Sequence, residues 1–236
     1  DPWMAFQAWP MMLISGLGLL VFYSCIVATM RSGDLSIYYP ITRSSPLFVV
    51  VFSFFFLGQS YSPLMLGGIG MVLVGAFLLQ YQPGIRLLSE PKILILAFLA
   101  MCVHGVITLA DAEAMQMVEP AVYMFVMYLF VVPGMAFVLS INRPANRNLF
   151  THLFVGWVKT PFRFAVVGIT AYASYYLILI TFQLGANVAA ISAVRQVSIP
   201  LSVLLGCLIY KEARLTARLA WSGLLALGVI VIVLAK

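Results

Sequence analysis

Eight apolar runs divide the chain at short polar intervals: 11–30, 35–57, 63–81, 92–110, 120–141, 164–184, 188–210 and 219–235. Each is close to the ~20 residues at which a helix rising 1.5 Å per residue crosses the hydrocarbon layer of a bilayer. The pattern predicts eight membrane helices. So little sequence lies between them that no soluble domain fits, and the core is the helix bundle itself. The longest interval, 142–163, interleaves Arg143, Arg147, Lys159 and Arg163 with Phe150, Phe154, Trp157 and Phe162. That alternation suits a segment lying along lipid headgroups, with partner docking as the alternative.

Polar residues inside the runs are few, and two are arginines. Arg43 and Arg195 lie 152 residues apart, and their surroundings match at that offset. Gly16, Tyr23, Thr29, Gly33 and Val51 correspond to Gly168, Tyr175, Thr181, Gly185 and Val203. A cation within a membrane segment costs about 3 kcal/mol or more, so it is seldom without a task. Five crossings separate the two arginine-bearing runs. An odd number inverts the repeat, and each arginine sits roughly 12 Å into its helix. The duplication therefore places two guanidinium groups on either side of the midplane, the arrangement of an inverted-repeat carrier.

Both arginines stand beside proline. Tyr38-Tyr39-Pro40-Ile41-Thr42-Arg43-Ser44-Ser45-Pro46 has two prolines, and Ser192-Ala193-Val194-Arg195-Gln196-Val197-Ser198-Ile199-Pro200 has one. Proline removes a backbone donor and weakens a helix. In a bilayer such a break survives only where protein or water satisfies the freed carbonyls. Two readings follow. Arg43 and Arg195 bind an anionic group in a central pathway, with Gln196, Tyr38, Tyr39, Tyr175 and Tyr176 lining the same cavity. Alternatively, the arginines hold the bundle together through those carbonyls, and the tyrosines are packing residues.

Two further groups can exchange protons. His104 lies midway along 92–110, and Asp111 follows at its end with Glu113. Either could couple transport to protons; the plainer roles are an interhelical hydrogen bond for His104 and an interfacial acid for Asp111. Gly68 with Gly75, and Gly223 with Ala226, mark small faces for close helix packing, with homodimer contact as the alternative.

Composition then removes function classes. Only 8% of residues are charged and 64% are hydrophobic, far from the ~25% charged of a soluble domain. The net charge of +6 does not point to nucleic acid, because the basic residues cluster in loops on one side. Ten fall on the side of 31–34 and one, Lys236, on the other, which assigns the basic side to the cytoplasm. Cys25, Cys102 and Cys207 lack metal-ligand spacing and read as small core residues. Hydrolase, metalloprotease and phosphate-loop motifs are missing, so neither an enzyme nor a cofactor or metal is implied. Gly33-Asp34 reads as a helix cap and turn.

Several of these segments resemble the drug/metabolite transporter superfamily, specifically its EamA-like members. Tyr39-Pro40 to Pro46, Gly58-Gln59, Ser62-Pro63, Gly67 and Gly75 resemble the end of that family's first half. Pro200, Glu212, Leu215-Thr216 and Gly223 resemble the end of its second, and Ile107 to Asp111 the close of its sixth helix. The resemblance implies an all-α polytopic membrane protein with inverted halves of five helices each. Eight are visible, so residues 1–85 represent a partial first repeat of three helices and 92–236 a second of five. The missing pair is expected before Asp1. The family departs from this chain at Gln59, where glutamate is common, and at Ala112, where a basic residue is common. It also usually keeps both termini in the cytoplasm, whereas the charge bias puts this C-terminus outside. The function implied is a secondary transporter or permease of small metabolites in a bacterial inner membrane; the arginines and tyrosines, not the resemblance, point to an anionic or amphipathic substrate. A non-transporting scaffold or, further off, an intramembrane enzyme are the alternatives.

Overall fold

The computed structural model describes residues 6–32, 41–80, 91–141, 148, 154, 156–201 and 215–235. Each predicted run contains a helix: α1 (Trp9–Ser32), α2 (Ser45–Phe56), α3 (Pro63–Gln80), α4 (Pro91–Ala114), α5 (Pro120–Ile141), α6 (Pro161–Gln183), α7 (Val188–Val194) and α8 (Leu215–Leu234). A 3₁₀ turn, Arg195–Val197, follows α7. There is no strand among the described residues. The chain is an all-α, multi-pass integral membrane protein. α1, α4, α5 and α6 are long and apolar enough to cross a bilayer outright; α2, α3, α8 and the stretch 188–201 are apolar but shorter over the described residues.

Local chemistry explains the boundaries. α3, α4, α5 and α6 each begin on proline, whose missing N–H is harmless in the first turn and whose fixed φ suits it. Ser62 caps α3, its Oγ accepting from the Met65 N–H at 3.2 Å. Asn187 caps α7 in the same way, Oδ1 accepting from the Ala190 N–H at 3.1 Å. Asn187→Ala is expected to lower stability by about 1 kcal/mol and Asn187→Ser hardly at all, as read by denaturant unfolding in detergent. Gly58 and Gly185 end α2 and α6 with φ of +62° and +80°, a conformation that costs glycine nothing.

The surface is apolar, unlike that of a soluble protein, and part of the interior is polar. Large apolar side chains such as Phe55, Phe56, Leu129, Phe137 and Phe162 point outward, while Ser15, Thr29, Ser53, Thr108, Asp111, Ser192 and Gln196 are buried. In lipid, outward apolar groups need no cover, and inward polar groups must find partners. Helical hydroxyls find them on their own backbone: Thr29 Oγ1 donates to Cys25 O at 2.9 Å and Thr108 Oγ1 to His104 O at 2.8 Å.

The chain divides into two compact units that interleave along the sequence, residues 1–24 with 110–185, and residues 25–109 with 186–236. These units do not coincide with the repeats expected from the sequence, 1–85 and 92–236. Unit one buries Met12, Leu19, Tyr123, Met124, Met127, Val131, Leu179 and Phe182. Unit two is built on α3 and α8, whose backbones nearly touch. A Cβ placed on Gly68 would lie 2.9 Å from Gly228 O, and one on Gly228 would lie 2.8 Å from Gly68 O. Gly75 meets Leu225 and the Trp221 carbonyl similarly. Small residues thus carry the packing, as the sequence indicated for Gly68 and Gly75. On α8 the position is Gly228; Gly223 has nothing within 4 Å of where a Cβ would stand.

Candidate functional site

In unit two the two arginine segments both lose α-helical geometry at the arginine. Residues 41–42 are helical, Arg43 and Ser44 form a turn, and α2 starts afresh at Ser45 with Pro46 in its first turn. On the other segment, Pro200 has no N–H to offer the Gln196 carbonyl. The backbone there tightens to 3₁₀ over Arg195–Val197, and Ser198 Oγ donates to Arg195 O at 3.1 Å. A 3₁₀ stretch between α-helical turns often marks a hinge or a functional break.

The breaks are tied to each other. Gln196 Nε2 donates to the Arg43 carbonyl at 2.9 Å, filling one of the positions that the interrupted helix leaves open. Gln196 is buried, and its Oε1 has no hydrogen-bond partner among the described residues. Arg43 is exposed and Arg195 half-buried. Both act electrostatically on His104. His104 Nδ1 lies 3.1 Å from Ser45 Oγ, which joins α4 to α2 and fits the plainer interhelical role. Gly105 makes room for that approach, because the Phe48 ring occupies the space where its Cβ would be. Arg43, Arg195, Gln196 and His104 therefore belong to one neighbourhood.

The other predicted residues lie elsewhere. Tyr38, Tyr39, Gly33-Asp34, Cys207 and Glu212 are outside the described residues. Tyr176 is half-buried, its ring stacked on Tyr172 with centroids 6.2 Å apart. Tyr175 and Asp111 are in unit one, and they meet. Asp111 is 2% exposed, not an interfacial acid. Its Oδ1 accepts from Ser15 Oγ and from Tyr123 Oη, both at 2.7 Å, and its Oδ2 accepts from Tyr175 Oη at 2.6 Å. Four helices thus converge on one carboxylate. Sequence reading singled out neither Ser15 nor Tyr123. Their one available signal is topological: Ser15 and Tyr123 lie in the N-terminal parts of their helices and Asp111 and Tyr175 in the C-terminal parts of theirs, which the alternating course of the predicted spans puts on one side of the membrane.

The model of the EamA-like transporter family matches residues 2–81. The resemblance read at Tyr39–Pro46, Gly58-Gln59 and Gly67–Gly75 is borne out over this stretch, and the family is one of membrane transporters within the drug/metabolite transporter superfamily. No curated protein matches the chain. A solved crystal structure of a protein aligns with 98% of this chain and 79% of its own length, with TM-score 0.77 and 18% identity. At that identity the likeness establishes the fold.

Proposed function

We propose that the chain is a secondary transporter of small metabolites that alternates access around a cavity lined by the two broken arginine segments. The observation that carries this reading is the matched loss of α-helical geometry at Arg43 and Arg195, equivalent positions of an internal duplication. An unbroken helix would serve a scaffold equally well; backbone interrupted at membrane depth is tolerated where it is enclosed by protein or lines a wet space. The EamA-like match over residues 2–81 supports the same class. The guanidinium groups select an anionic or amphipathic metabolite, with Gln196, Tyr38 and Tyr39 as further contacts. The setting proposed is a bacterial inner membrane.

A thermal-shift screen of the purified chain against a metabolite library tests the reading. A ligand at a hundred times its Kd adds about 2.7 kcal/mol to the folded state, and the same compound should show counterflow in proteoliposomes. A library of anionic and amphipathic metabolites that yields neither shift nor flux would overturn it.

A further inference from the structure

We propose that Asp111 is a proton-binding site of unit one, loaded and unloaded through Tyr175. An ionisable group buried in a membrane helix is expensive to keep and marks function by default. Here it has been given three hydroxyl partners from three other helices: Ser15 on α1, Tyr123 on α5 and Tyr175 on α6. Those partners are not equivalent. Ser15 and Tyr123 are fully buried at 0% exposed, and their oxygens lie 2.7 Å apart on the same carboxylate oxygen. They fix Oδ1. Tyr175 holds Oδ2, and it is half-buried where Ser15 and Tyr123 are fully buried.

A hydroxyl in that position relays a proton without a net change of its own. Tyr175 passes its O–H proton to Asp111 Oδ2 while its oxygen takes a proton from the accessible side; one proton is consumed and the tyrosine remains neutral. The new carboxylic O–H then donates back to Tyr175 Oη, which a phenolic oxygen can accept. The bonds to Ser15 and Tyr123 are kept, and the link to α6 reverses direction. Loading therefore changes the tie between α4 and α6 selectively. Other groups bear on the site from each packed element. Tyr128 on α5 is within electrostatic reach of Asp111, and Tyr23 on α1 and Tyr172 on α6 are within reach of Tyr128. On α4 itself, Glu113 is exposed.

The proton site stands on its own geometry; only its use as the coupling ion rests on the transporter reading. The test needs no substrate. The full chain, with its aspartates labelled at the carboxyl carbon, is placed in nanodiscs and titrated from alkaline to acid under infrared difference spectroscopy. The chain has three aspartates, Asp1, Asp34 and Asp111. A label-shifted carboxylic-acid band is expected in the wild type and in the double variant Asp1→Asn/Asp34→Asn, and is expected to vanish in Asp111→Asn. After a pH jump, Tyr175→Phe should slow its appearance about tenfold or more, the worth of one hydrogen bond to a charged group. No such band in the folded double variant overturns the site, even if Asp111→Asn fails to fold. A wild-type rate in Tyr175→Phe overturns the route. Flux measured separately decides the transporter reading, so the two failures are distinguishable.

Discussion

Arg43→Ala and Arg195→Ala are each expected to reduce substrate flux at least about tenfold while the protein inserts and folds. A charge-assisted hydrogen bond is worth about 1.5–3 kcal/mol, so the loss of one guanidinium from a binding site is felt at that scale. Folding should be spared for a specific reason. The tie between the two segments uses the Arg43 carbonyl and the Gln196 amide, and truncating the Arg43 side chain leaves both in place. Arg→Lys at each position should restore part of the flux, because charge is kept while the planar two-point donor is lost. Initial-rate counterflow in proteoliposomes, normalised to the folded fraction by size exclusion, gives the readout. Normal flux in both alanine variants would make the arginines structural and remove the basis for the cavity.

Gly228→Ala is expected to destabilise the protein by about 1–3 kcal/mol, the range for forcing atoms into a packed interface. The added Cβ would sit 2.8 Å from Gly68 O and 2.8 Å from Val72 N. Both are backbone atoms, so α3 must move as a whole. Gly223→Ala on the same helix supplies the control. Nothing lies within 4 Å of its Cβ position, and replacing a helical glycine by alanine gains about 0.8–1 kcal/mol. The two substitutions share their chemistry and should shift the unfolding midpoint in opposite directions. Equal shifts would show that α3 and α8 do not meet through these glycines.

The contrast between Gly223 and Gly228 also shows where sequence reading reached its limit. Helix existence is written locally, in apolar run length and in the prolines at 63, 91, 120 and 161, and all eight runs contain helices. The breaks beside Arg43 and Arg195 are likewise written in Pro46 and Pro200. Which glycine faces α3 depends on the rotation of α8 against a partner more than 130 positions away, and α8 offers small residues on more than one side. Asp111 is the sharper case. Three residues from the end of α4 and followed by Glu113 and Glu119, it reads as an acid at the membrane surface. Its burial comes from Ser15, 96 positions earlier, and Tyr175, 64 positions later, and no window along the chain contains that information. Gln196, expected beside the arginines, bonds the Arg43 carbonyl, whereas the approach of His104 to the same segments was not legible in the sequence, because it depends on how α4 packs against α2.

The bond from the residue-196 amide to the residue-43 carbonyl has a mechanical corollary. If the earlier segment rewound alone and withdrew its carbonyl, an amide donor would be stranded in the interior, at about 1–3 kcal/mol. That amount is comparable with the gap between the states of many switching proteins. Movement at one joint is therefore expected to recruit the other, so that the two segments behave as a single toggle.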